Sequence, residues 1–227
     1  FGFGEPDSSA RELLELGRPD LVLTPSSRTR KFYASVAPSL LKALAATGEP
    51  DVALRRFSSI ATSLGGKAVL FQMLNENPWL LKMTVDLAAW SEYLTTILVA
   101  NPGLFDELVD ALETARSKSL KTMMEELGQI ALSGDIADTL RAYRAGEVLR
   151  IGVRDLIHSA GEEQTEGELT DLAEALLRAQ FQHCLNEQRA HCGNGLAPGG
   201  PAEAGNVGFA VLGVGKFGSR EMNYGSD

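Results

Sequence analysis

Helix starts and helix stops punctuate this chain from its beginning to about residue 205, and they leave little room for anything but helices. Pro50, Pro78 and Pro102 stand where a first helical turn tolerates a missing N–H. Asn77 and Asn101 directly precede two of these prolines, and each carries a side-chain oxygen able to cap the turn. Gly17, Gly48 and the pair Gly65–Gly66 fall where apolar periodicity stops. Between such marks the apolar residues recur at helical spacing, as in Ala53, Leu54, Phe57, Ile60, Ala61 and Leu64. The alternation that a half-buried strand needs is missing from this part of the chain.

The pattern predicts a first helix capped by Asp7 or Ser8, then one over 29–46 that Pro38 interrupts or kinks. Ser91 caps a further helix, and 115–132 forms another. Two long helices follow. One runs from Asp135 to His158; the other covers about 167–192, opened by a capping box of Thr165 and Glu168. Joined by a loop around Gly161, they are expected to pack as an antiparallel hairpin. Arg141, Arg144, Arg150 and Arg154 lie along the first of them. Salt bridges to acids on the partner helix are the structural reading of these arginines; a basic face for a nucleotide domain is the functional one. The acidic run 161–168 reads as a solvated turn plus a helix start, where negative charge is favoured. The Gly/Pro-rich stretch 193–207 is the one clear boundary, which divides the chain into an α-helical domain over 1–205 and a second region over 206–227.

Composition sets the outer limits. A hydrophobic content of 44% supports a sizeable core. A net charge of −9 argues against broad nucleic-acid binding, which needs a basic face, but not against binding one nucleotide. No apolar run reaches the roughly 18 residues of a membrane span, and the first residues lack the pattern of a signal peptide. With only two cysteines, Cys184 and Cys192, a reducing, cytoplasmic setting fits. His183–Cys184 and His191–Cys192 invite a zinc reading. On one helix, positions eight apart differ by roughly 80° in direction and about 12 Å in height, too far to share a metal. Core cysteines and surface histidines are the expectation.

The chain changes character at residue 208. A short apolar run, Phe209 to Leu212, reads as a buried strand. Gly213, Gly215 and Gly218 follow, with Lys216 among them, then Ser219 and the acid Asp227. Glycines let backbone approach an anion, lysine adds a point charge for phosphate, and a carboxylate beyond the turn can hold a divalent metal. The same residues satisfy the dinucleotide pattern G-x-G-x-x-G, a weak signal without a following βαβ unit. A P-loop is excluded, because Lys216 is followed by Phe217 rather than Ser or Thr.

Residues 213–227 resemble the nucleotidyltransferase superfamily and, more closely, the glutamine synthetase adenylyltransferase family. The superfamily pattern of a Gly-Ser pair followed by an acid is met by Gly218–Ser219 and Asp227. The family variant G-x-G-K-[LF]-G, then E-[LM]-N-[YF]-x-S-D, is met almost throughout. The helical part carries fainter likenesses at the opening Gly-Phe-Gly-Glu-Pro, at Glu76-Asn77-Pro78, at Asn101-Pro102-Gly103 and along 140–151. The resemblance implies a mainly α protein, a multi-helix bundle leading into the first strand of an α/β nucleotidyltransferase domain. It implies transfer of AMP from ATP to a tyrosine of glutamine synthetase, with removal by phosphorolysis in a second half of the parent protein. The Glu-Asn-Pro and Asn-Pro-Gly segments favour the attaching half. In these terms Asp227 is the catalytic metal ligand for Mg²⁺, while Gly215, Lys216, Gly218 and Ser219 bind nucleotide. Glutamine synthetase and ATP are the implied partners, with a PII-type signalling protein as a further candidate and neither nucleic acid nor membrane among them. The pattern's second acid would stand two residues after Asp227, so the expectation is a truncated domain, inactive as a transferase by itself. Its tail is then expected to be disordered, folded onto the helices or paired with another molecule. Two other classes stay open: a helical binding module for glutamine synthetase, and a dinucleotide-binding oxidoreductase.

Overall fold

A computed structural model describes residues 2–18, 26–106, 109, 117–130, 135–158, 161–192 and 211–226. The chain forms two compact units. The first is Phe1–Ala115 with Gly152–Ser159, the second Arg116–Ile151 with Ala160–Asp227.

The first unit contains α1 (Pro6–Leu16), α2 (Ser26–Ala45), α3 (Pro50–Ser63), α4 (Lys67–Glu76), α5 (Pro78–Trp90) and α6 (Glu92–Ala100). Helix α2 packs on α4, and α3 lies against α1, α5 and α6. Their shared core holds Leu40, Leu44, Leu54, Phe57, Ile60, Phe71, Leu74, Leu80, Leu87 and Leu98, all essentially without solvent contact. Helix α2 runs on through Pro38, so of the interruption or kink expected there the interruption does not occur. Val36, Leu40 and Leu44 are buried on either side of the proline. Their burial outweighs the one backbone hydrogen bond that proline removes.

Starts and stops need finer correction. Ser91 caps α6 as expected, its Oγ accepting from Leu94 N at 3.1 Å. Asn77 does not cap forward as its place before proline suggests, and both asparagines also reach back. The Asn77 side chain makes no capping hydrogen bond at the start of α5. Instead Asn77 Nδ2 donates backwards to Met73 O at 3.1 Å, and Asn101 Nδ2 to Ile97 O at 2.9 Å. Each adds a second donor to a carbonyl at the end of the preceding helix that the asparagine's own backbone N–H already reaches, at 2.9 Å for Met73 O and 3.0 Å for Ile97 O. Helix α1 begins at Pro6, ahead of Asp7 and Ser8. Its cap comes from α3: Asp51 accepts from Gly4 N at 2.7 Å, Glu5 N at 3.4 Å and Ser9 Oγ at 2.5 Å. The Ser9 hydroxyl, with those two amides and Arg55, holds the Asp51 carboxyl below its ordinary range against a smaller opposing effect of burial.

The second unit contains α7 (Leu120–Ile130), the larger part of α8 (Ile136–His158), α9 (Glu162–Cys192) and the short α10 (Gly215–Ser219). The last turns of α8 belong to the first unit, where an added Cβ on Gly152 would fall 2.5 Å from Leu94 Cδ1. A glycine in mid-helix is normally a cost, but here it admits α6. Asp135 caps α8, its Oδ1 accepting from Ala137 N at 2.8 Å. Helix α9 starts at Glu162, before the expected capping box. Gln164 N and Thr165 N already donate to Gly161 O. Thr165 and Glu168 are buried within the helix instead.

The expected hairpin forms. Arg150 reaches Glu168, and Arg144 and Val148 share a cavity wall with Leu172, Ala173 and Leu176. Partner numbers rise on α9 as they fall on α8, which is what antiparallel neighbours require.

Among the described residues every regular element is a helix. The expected strand is a correction: Val211 and Leu212 are exposed and outside any strand, while Phe209 and Ala210 lie outside the described residues. An apolar run becomes a strand only when a neighbour satisfies its N–H and C=O groups, and among the described residues Val211 and Leu212 have no such ladder. The boundary at 205/206 likewise falls outside them. No helix among the described residues is long and apolar enough to cross a membrane.

Candidate functional site

Four of the five expected site residues come together in one turn. Gly215, Lys216, Gly218 and Ser219 all lie on α10. Gly215 enters it at φ +59°, a left-handed conformation that suits glycine. At Gly218 a Cβ would stand 2.6 Å from Gly213 O, so the backbone folds on itself more tightly than a side chain allows. Lys216 is exposed. The Ser219 hydroxyl faces three acceptors, Gly215 O at 3.2 Å, Lys216 O at 3.4 Å and Glu221 Oε2 at 3.0 Å. The fifth residue, Asp227, lies outside the described residues.

Arg220 ends α10 in the left-handed region, at φ +63°. Its guanidinium donates to Asp171 Oδ1 on α9 at 2.5 Å and lies 3.7 Å from Glu174. The hydrogen bond to Asp171, ahead of a smaller desolvation effect, raises the Arg220 pKa further. Two residues on, Met222 N donates to Thr170 Oγ1 at 3.4 Å. Of the fates expected for the tail, folding onto the helices is therefore the one found for 211–226.

A cavity of about 540 Å³ opens between the turn and α9, its walls including Thr170, Glu174, Phe181, Phe217, Gly218 and Arg220. A second, of about 310 Å³, shares Phe217 with it and continues along Leu169, Leu172, Met222 and Tyr224. Both lie within the range of small-molecule sites. Phe217, the residue that rules out a P-loop, forms a wall common to both cavities.

Sequence reasoning missed a charged cluster in the same unit. Lys118 Nζ donates to Glu126 Oε2 at 2.8 Å and to Glu147 Oε1 at 2.6 Å. Arg150 donates to Glu147 at 2.7 Å and to Glu168 at 2.5 Å, and Glu168 also accepts from Lys118 N at 2.8 Å. Tyr143 donates to Glu126 at 2.6 Å. Burial alone pushes the Glu126 carboxyl up. Hydrogen bonds from Lys118 and Tyr143, with the charges of Lys118 and Arg150, more than offset this and hold it below its ordinary value. Burial likewise works against the charge on Lys118, and its two glutamates prevail and raise its pKa. Burial first, then the bond to Glu126, pushes the Tyr143 hydroxyl well up.

This cluster decides the fate of the arginine row. Arg150 bridges to the partner helix, as the structural reading held, and Arg141 pairs with Asp138 on its own helix. It also corrects the end of the acidic run: Glu162 and Glu163 are exposed in the first turn of α9, as expected, but Glu168 is buried and doubly bonded. The expectation of core cysteines fails at Cys184, which is exposed because its stretch of α9 is exposed on most sides.

Among the described residues no group of three or more His, Cys, Asp or Glu side chains could hold a metal ion. They do not by themselves form the expected Mg²⁺ site, and Asp227 is not among them. The glycine turn, by contrast, has the exposed backbone and hydroxyl that anion binding requires.

Comparison with known proteins places the turn in a wider pattern. Residues 81–227 match the sequence profile of the family described as glutamate-ammonia ligase adenylyltransferase. The whole chain is 29% identical to a bifunctional glutamine synthetase adenylyltransferase/adenylyl-removing enzyme of Agrobacterium fabrum and 30% identical to one of Mesorhizobium japonicum. Each alignment covers 22% of the relative. A third, from Brucella suis, is 31% identical over 90% of this chain and 20% of its own length. The chain thus spans about a fifth of the curated relatives it matches.

Proposed function

This chain belongs to the glutamate-ammonia ligase adenylyltransferase family, and on that premise we propose that it is part of an enzyme that moves AMP from ATP onto a tyrosine hydroxyl of glutamine synthetase. The observation that carries the reading is the turn Gly215–Ser219, seated on α9 within the stretch that matches the family. In this reaction the tyrosine oxygen attacks the α-phosphorus of ATP. A P–O bond forms, the bond to pyrophosphate breaks with its electron pair, and the phenolic proton passes to solvent.

This chain's residues bind and orient the nucleotide. Gly218 and Ser219 take triphosphate oxygens through a backbone N–H, which first leaves Val214 O, and the hydroxyl, which first leaves Glu221. Gly215 permits the turn, and Lys216 supplies positive charge beside the phosphates. Asp227 is the carboxylate for Mg²⁺, which when bound neutralises charge on the phosphates. Of the two activities in the relatives' name, we assign the attaching one to the region this chain represents, on its Glu76-Asn77-Pro78 and Asn101-Pro102-Gly103 segments.

Asp227→Asn in the full-length protein tests both assignments. The amide keeps the shape and loses the charge a hard cation needs. Transfer of AMP to glutamine synthetase is expected to fall by about a hundredfold or more, with phosphorolytic removal retained. Near-normal transfer would take Asp227 out of the site; loss of removal alone would reassign the region to the other activity.

A further inference from the structure

Two described hydrogen bonds join the end of the glycine turn to α9, from Arg220 to Asp171 and from Met222 N to Thr170. We propose that Arg220 is a positioning residue, which holds Gly215–Ser219 in register on α9 through Asp171 and so fixes where the nucleotide's phosphates sit. The inference rests on the nucleotide-binding reading of that turn.

Three observations carry it. Arg220 adopts φ +63°, a conformation that a long side chain rarely accepts unless its surroundings enforce it. That conformation ends α10 and turns the chain back, so that Glu221 N donates to Lys216 O at 2.8 Å. The carboxylate it meets is itself fixed. Asp171 Oδ1 receives the guanidinium at 2.5 Å, while Oδ2 accepts from Leu120 N at 3.3 Å, at the start of α7. Asp171 therefore joins α7, α9 and the turn, and cannot swing away without freeing a helix-terminal N–H. Finally, the next anchor is also prepared. The Thr170 hydroxyl spends its proton on Glu166 O at 2.7 Å and so accepts from Met222 N. Thr170 is buried, and Met222 N reaches it only when Arg220 has reversed the chain.

The charges in this corner cancel. Arg220 faces Asp171 and Glu174, and Arg178 faces Glu174. The guanidinium of Arg220, half exposed at the wall of the larger cavity, is thus paired with carboxylates of α9. Positioning at this precision matters, since a displacement of about 1 Å costs on the order of a hundredfold in rate.

Arg220→Asn is the informative variant, because asparagine tolerates the left-handed conformation while the guanidinium and most of its stem are lost. Asp171→Asn and the double variant complete a cycle. In this chain, hydrogen exchange at Gly218, Arg220, Glu221 and Met222 amides is expected to accelerate about tenfold in either single variant and no further in the double. In the full-length protein the same variants should raise KM for ATP and lower kcat, together about tenfold or more, with KM for glutamine synthetase unchanged. Unchanged exchange, or effects that simply add, overturns the clamp whatever the activity. Faster exchange with unaltered ATP kinetics overturns its part in positioning. A wild-type protein that transfers no AMP overturns instead the reading of the reaction on which the proposal rests.

Discussion

The two units of this chain are stabilised in different ways. The first is built from apolar side chains in close contact: among the described residues it supplies all but one of the largest fully buried side chains, Met123 being the exception. The second buries less apolar bulk and threads a chain of charges, Lys118, Glu126, Glu147, Arg150 and Glu168, through its helix contacts. Apolar packing is non-directional and tolerates any hydrophobic side chain of the right volume. A charge cluster is directional, and each member fixes the angle at which its helix is held. The glycine turn sits in the unit of the second kind. If the turn places phosphates as proposed, a directional support is what it needs.

The largest expected effect lies in the first unit. Phe57 is wholly buried between α3 and its neighbours. Phe57→Ala should cost about 3–5 kcal/mol, read from chemical unfolding. A loss below 1 kcal/mol would mean that this core is loosely filled and the contrast overstated.

A somewhat smaller loss is expected from Glu168→Ala in the second unit. It strips both Arg150 and Lys118 N of their shared acceptor, at a cost of roughly 3 kcal/mol. The comparison sharpens if hydrogen exchange rises on α7 and α9, the helices whose junction Glu168 serves. It breaks if the loss is within about 0.5 kcal/mol, the level of a surface ion pair.

The smallest effect is on pH dependence. Glu126 has its carboxyl held below the ordinary 4.5, so its contribution is present above that value and is lost as pH falls through the folded one. Lys118 is raised above 10.5, so its contribution is present below that value and is lost as pH rises through the folded one. Melting temperature should therefore decline on both limbs, and Glu126→Gln should flatten the acid limb specifically. An acid limb that keeps its slope in the variant would shift the titration to other carboxyls, Asp51 of the first unit foremost.

That four residues of the candidate site share one turn was legible because they are contiguous. Gly215, Lys216, Gly218 and Ser219 fall in one turn for any fold that preserves their local geometry. Arg220 lies beside them in the sequence, yet its role depends on Asp171, 49 positions away, and nothing local marks that carboxylate. The strand drawn from Phe209 to Leu212 misjudged a different kind of dependence. Apolarity marks a segment that seeks a partner, and only a neighbouring strand supplies one.

The sequence by itself determined that the described elements are helices, roughly where they lie, and that the two long ones fold back on each other. Periodicity, proline at first turns and the Ser91 cap act over three or four residues, within reach of pattern reading. Only the tertiary structure decided how the termini are satisfied and which charges are buried. Gly4 is capped by Asp51 across 47 positions, and Lys118 N finds Glu168 across 50. A backbone N–H accepts any suitably placed carboxylate, so its partner is set by where helices meet, and that is fixed by the packing of all of them at once.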